Sequence, residues 1–146
     1  AENTNKELGG LKQSSENTNK EPGGLKQSVG YALENEAYRS LPGYLQKHYE
    51  IELTEKLIRK EINGEEINIL GTGKKNGKNI VVVGEATLRL SSARKFKQLE
   101  RKVEIAEQLY PEYEIIPIVI THFATAEIQQ RALHEEIIVI QSFQWA

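Results

Sequence analysis

The run Ile80–Thr87, IVVVGEAT, constrains this chain more than any other segment. Its β-branched residues are stiff and favour a pleated strand, and the run is apolar enough to lie centrally in a sheet. Glu65–Leu70 (EEINIL) comes before it, separated by GTGKKNGK. Asn76-Gly77 in that linker is the dipeptide of a tight hairpin turn, so the two strands lie side by side. Strand side chains alternate between faces. Val81, Val83 and Glu85 therefore form one core-facing row, and Glu85 and Thr87 share a face. A carboxylate in such a row is costly unless it meets a cation, a metal or a strong donor. On the preceding strand Glu66 and Asn68 share a face, so Glu66, Asn68 and Glu85 can converge at one end of the sheet.

The flanking segments place this hairpin inside a mixed α/β domain. Val29–Ser40 reads as a helix that stops near Pro42 and resumes through Tyr44–His48. Ile51–Ile62 alternates and reads as one strand. Ser91 or Ser92 caps a long helix to about Leu109. Ile115–Thr121 is a buried strand, Ala124–His134 a helix, and Ile137–Ile140 a last strand. The order is α-β-β-β-α-β-α-β.

Residues 2–14 and 16–28 match at twelve of thirteen positions, at an offset of fourteen. Two polar copies, each with a Gly-Gly pair, are too few for a solenoid. Leu8, Leu11 and Leu25 are too few for a coiled-coil seam. Residues 1–28 are read as a duplicated polar leader outside the folded domain, 29–146. A duplication introduced by design is the other origin for it.

Composition removes several chemistries. The 146 residues include no Asp and no Cys, where an average chain would hold roughly eight Asp. A Ser-His-Asp triad, a disulfide, a zinc–thiolate site and a thiol nucleophile are excluded. The formal net charge of −2 is ordinary, so only local patches can attract nucleic acid. No apolar run approaches the ~20 residues of a membrane span, and no signal sequence opens the chain. A cytoplasmic protein is expected. GTGKKNGK lacks the spacing of a phosphate-binding loop and leads into a strand. His48, His122 and His134 show no ligand spacing.

The first helix adds a third carboxylate. Glu34 falls at i, i+3, i+4 and i+7 with Ala37, Tyr38 and Leu41, on the apolar stripe, whereas Glu36 pairs by spacing with Arg39 and Ser40 on a solvated face. One apolar-face Glu plus hairpin oxygens is a reasonable site for a hard cation such as Mg2+. Between Arg89 and Lys102 there are six basic residues against Glu100 alone. Lys74, Lys75 and Lys78 add charge at the hairpin. Phosphates are the natural partner for such residues, although a Lys-rich turn and a basic helix face are also ordinary surface.

With GYALENEA, EEINILG and IVVVGEAT in this order, the chain resembles the PD-(D/E)XK nuclease superfamily. It is most similar to archaeal members that carry the domain after a coiled-coil segment. The resemblance covers roughly Gly23 to Trp145. It implies a restriction-endonuclease-like mixed central sheet flanked by helices. In that family the first helix bears a Glu four residues after a Gly, matched by Gly30 and Glu34. The second strand bears a metal-binding Asp, where this chain has Asn68. The third strand bears E-x-K, where Glu85 is kept and Thr87 replaces the Lys. Lys95 or Gln98 on the next helix is placed to face the site.

The resemblance implies Mg2+ or Mn2+ held by Glu34, Glu66, Asn68 and Glu85, with Lys95 standing in for the absent Lys. It makes Glu34, Asn68, Glu85, Thr87 and Lys95 the catalytic positions. Lys74, Lys75, Lys78, Arg89, Arg94, Lys97 and Arg101 become the contacts to DNA, and a homodimer is the default assembly. Two of the three strand-borne motif positions differ in type. The expected activity is a metal-dependent DNA nuclease. The alternative is an inactive nucleic-acid-binding or assembly module.

Overall fold

The computed structural model describes residues 21–145, with side chains from Tyr31 onward. The expected leader lies outside the described residues up to position 20. The chain divides into two units, Ala1–Ala32 and Leu33–Ala146; the sheet and every contact below belong to the second.

Helix α1 runs from Glu21 to Tyr49, so the boundary expected after Ser28 falls inside it. The break expected at Pro42 does not occur. Proline removes one helical hydrogen bond, but Leu41 and Leu45, on either side of it, are fully buried and hold the helix down. Six strands follow in one sheet: β1 (Ile51–Leu53), β2 (Ile58–Ile62), β3 (Glu65–Lys75), β4 (Lys78–Leu90), β5 (Glu114–Ala124) and β6 (Ile138–Gln141). Helix α2 (Arg94–Leu109) connects β4 to β5, and α3 (Ala126–His134) connects β5 to β6. A short 3-10 turn, Ser142–Trp145, ends the description.

The hairpin is as expected but longer. Asn76 and Gly77 both have positive φ, so the turn takes two residues and the strands run up to it. Asn63 and Gly64 make a second such turn between β2 and β3. The strand expected over Ile51–Ile62 is in fact two, both paired antiparallel to β3. Between them Leu57 is buried against Gly71, where a Cβ would lie 2.6 Å from the leucine Cδ2. Inserting that side chain lifts the backbone out of register. The sheet order is β1-β3-β4-β5-β6, with β2 also on β3. β4, β5 and β6 are parallel, so the sheet is mixed.

The sheet separates two cores. On one face Leu33, Ala37, Leu41 and Leu45 of α1 pack on Ile69, Ile80, Val82, Ile118 and Ile120. On the other, Phe96, Leu99 and Ala106 of α2 and Ile128 and Ala132 of α3 pack on Val81, Val83 and Val119. Each buried Leu, Ile, Val or Phe among these contributes roughly 1.5–3 kcal/mol. The serine cap expected for α2 is replaced by Ala93, which makes no side-chain cap bond. Thr125 caps α3 instead, accepting from the Ile128 amide.

Glu50 and Glu136 follow α1 and α3 with φ of 57° and 60°, a left-handed conformation that favours glycine. Replacing Glu136 by Gly should therefore raise unfolding free energy by about 1 kcal/mol. Urea denaturation checks this, and an unchanged or lower midpoint would count against strain at that residue.

Candidate functional site

Glu85 is 2% exposed, in the β4 row behind Val81 and Val83. The cation it needs comes from α2. Lys102 Nζ donates to Glu85 Oε2, and Lys95 Nζ stands 3.6 Å from Oε1. The two lysines are seven residues apart, so they lie on one helix face two turns from each other. Lys102 is itself 9% exposed. Lys95 is half-buried and also lines a surface cavity of about 320 Å3 with Thr87, Ser91, Ser92, Arg94 and Gln98. Thr87 turns its hydroxyl to the Arg89 carbonyl at 3.4 Å.

Glu34 lies elsewhere. It is 5% exposed on the helix that covers the opposite face. Arg59 Nη2 of β2 donates to Glu34 Oε1, and Arg59 Nε is 3.5 Å from Glu66 Oε2. Tyr38, one turn along α1 from Glu34, donates its hydroxyl to the Asn68 carbonyl at 2.7 Å. Burial, then the nearby Glu66 carboxylate, push the Tyr38 phenol above its ordinary 10.0.

The expected gathering of Glu34, Glu66, Asn68 and Glu85 around one ion is not what the fold builds. Strict alternation fails on β3. Leu70 pairs with Ile58 and Ile67 with Lys60, so Asn68 and Ile69 together oppose Arg59. This bulge puts Ile67 and Leu70 in the α2-side core and Ile69 in the α1-side core. The face-sharing of Glu66 and Asn68 rested on unbroken alternation and does not follow. Among the described residues, no three acidic or histidine side chains could hold one metal ion. Mg2+ demands several oxygens about one point. Here Asn68 brings no charge, and Glu34 and Glu85 each have a basic partner. As arranged, these side chains do not fit a divalent cation.

The expected nucleic-acid contacts also divide. Arg94, Lys97 and Arg101 are exposed and follow i, i+3, i+7 on α2. Arg101 Nε lies 3.8 Å from Glu65. Arg89 stacks its guanidinium 4.8 Å from the Phe123 ring centre. Lys74, Lys75 and Lys78 sit at the opposite end of β4, eleven residues of strand from Arg89, on the order of 35 Å. The hairpin lysines and the α2 residues are not one patch.

A family model matches residues 35–144. The chain belongs to the family described as a domain of unknown function (DUF8196). No curated relative matches it. Among solved structures, a repair endonuclease from Pyrococcus abyssi aligns at 15% identity and a TM-score of 0.48, over 70% of this chain and 45% of that one. EndoMS in apo form aligns at 20% and 0.44, over 71% and 45%. The EndoMS-dsDNA2 complex aligns at 18% and 0.46, over 70% and 43%. This DUF8196 chain spans less than half the length of those proteins.

Two of the residues at the site, Tyr38 and Arg59, are not singled out by the sequence. Lys102 borders the apolar stripe of α2 as Lys95 does, and the sequence favours Lys95, nearer the helix start, as the substitute lysine, whereas Lys102 makes the shorter contact with Glu85. Tyr38 appeared only as an apolar-stripe neighbour. Arg59 shows no signal, because a bulge places it. Glu36, read as solvated, instead accepts from Trp145 Nε1 at 3.2 Å. His122 pairs with the Ser142 hydroxyl at 2.7 Å.

Removing one partner of a buried ion pair costs about 3–5 kcal/mol, whereas removing both can be nearly neutral. Because Lys95 still stands 3.6 Å from Glu85, Lys102→Met should destabilise by at most that amount in urea, and Glu85→Gln/Lys102→Met should recover most of the loss. An equally unstable double variant would refute the pairing. The raised Tyr38 phenol gives a pH test. The folded state keeps this proton at pH values where the unfolded chain has lost it. Its stabilisation is therefore complete below about pH 10 and fades as pH rises through the folded value. Burial also raises the Tyr49 phenol, so absorbance titration at 295 nm should show two late-titrating phenols, one of which Tyr38→Phe removes.

Proposed function

We propose that this chain is a nuclease-like domain that holds DNA by its phosphates along α2 and does not cut it through a metal ion. The observation that carries this reading is the exposed stripe Arg94, Lys97 and Arg101, whose first member lines the cavity with Thr87, Ser92, Lys95 and Gln98. Three cations at helical spacing meet a row of phosphates, and the hydroxyls and amide beside them are good donors to phosphate oxygens. Arg89 extends the charge to the end of β4. The nuclease resemblance of the sequence makes DNA the partner, and a DNA partner fits the cytoplasmic setting expected from the sequence.

A second reading, metal-dependent hydrolysis of DNA phosphodiesters, is favoured by one contact. Lys95 lies 3.6 Å from Glu85, supplying a cation where Thr87 replaces the family's lysine. In that reading Glu34, Glu66, Asn68 and Glu85 would be the ligands of Mg2+ or Mn2+ after rearrangement.

Binding to duplex DNA, followed by fluorescence anisotropy, should weaken steeply with salt. Arg94→Ala/Arg101→Ala should flatten the log–log salt dependence by about 0.9 for each phosphate that is no longer neutralised. Lys78→Ala should leave it unchanged. Affinity that ignores both salt and the arginine substitutions would sink the binding reading. Plasmid DNA should stay intact with Mg2+ or Mn2+. Nicking that Glu85→Ala abolishes would hand the assignment to the hydrolytic reading.

A further inference from the structure

The carboxylate of Glu34 is buried, and what it meets is a guanidinium. Arg59 donates to Glu34 on one side and approaches Glu66 at 3.5 Å on the other. A single cation thus lies between a helix carboxylate and a strand carboxylate. We propose that Arg59 is the resident cation of this site. It takes the seat a divalent ion would need between Glu34 and Glu66, and so closes the site to metal.

The backbone delivers Arg59 to this place. It is the β2 residue opposed by both Asn68 and Ile69 of β3. Bulges of this kind increase local twist and re-aim a side chain. The remaining oxygens are poor ligands. The Asn68 carbonyl already accepts from Tyr38 at 2.7 Å, and the Asn68 side chain is neutral. That leaves two carboxylates, enough to hold a divalent ion whose shell water completes, but only where no cation already lies between them. The competition is also unequal. Arg59 is tethered and acts at the effective concentration its own chain sets. A metal ion would have to expel it, leaving a partly buried guanidinium without its carboxylates, which is strongly unfavourable. The inference goes beyond DNA binding on α2, because it concerns α1, β2 and β3, and it deepens the metal-free half of the proposed function. DNA affinity and Mn2+ uptake are separate readouts, so failure of phosphate binding is visible without failure of the inference.

The test is Mn2+ binding by calorimetry, with the melting temperature read alongside. Wild type should show no saturable uptake and no shift in melting. Arg59→Ala should gain a saturable site, roughly tenfold or more tighter than any wild-type binding. Arg59→Ala/Glu34→Gln should lose it again. Saturable Mn2+ uptake by wild type that Glu34→Gln removes would overturn the proposal. So would a folded Arg59→Ala that takes up no more Mn2+ than wild type. If Arg59→Ala does not fold in buffer, Mn2+ should restore it where sodium chloride of equal ionic strength does not. Failure of that rescue, while Glu34→Gln/Arg59→Gln folds, would also overturn it.

Discussion

Glu85 sits in a row of valines on the central strand, 2% exposed, so the fold must bring a cation to it or leave a buried charge unpaired. Lys102 and Lys95 of α2 supply that charge. The requirement fixes more than one contact. It sets the rotation of α2 about its axis, because the lysine face must point at β4 while Phe96, Leu99 and Ala106 enter the same core. That rotation turns Arg94, Lys97 and Arg101 outward. The basic outer face of α2 thus follows from the acidic residue beneath it.

The opposite face repeats the principle with other residues. Glu34 of α1 is buried and takes a guanidinium from β2. In both places charge is balanced inside the chain. A nuclease of the resembled family would leave carboxylates short of positive charge, so that a metal ion completes them. Here Asn68 is neutral, Arg59 meets Glu34, and Lys95 and Lys102 meet Glu85.

Much of the fold is legible in the amino-acid order alone. The Asn76-Gly77 turn, the apolar β4 run and the α2 stripe follow from local rules, because turn chemistry and side-chain periodicity act over a few residues. The long-range features are less legible. Pro42 reads as a helix end, yet burial of Leu41 and Leu45 overrides it. Ile51–Ile62 alternates like one strand, yet Leu57 filling the space over Gly71 breaks it in two. The demand of Glu85 for a partner can be read from its row, and Lys95 and Lys102 can be seen at the border of the stripe. Which atoms meet cannot.

By itself, the sequence determined the chemical types available: glutamates without aspartate, no thiol, a neutral Asn68 and a Thr87 at the positions where the resembled family carries charge. It also determined that a hairpin carries Glu85 into a core. Only the tertiary structure decided how those charges are shared. One extra residue on β3 opposite Arg59 changes which side chains face one another, and alternation cannot reveal it, because a bulge is set by pairing between strands. That same pairing brings a guanidinium to Glu34, while α1 and α2, packed on opposite faces of the sheet, keep Glu34 and Glu85 apart.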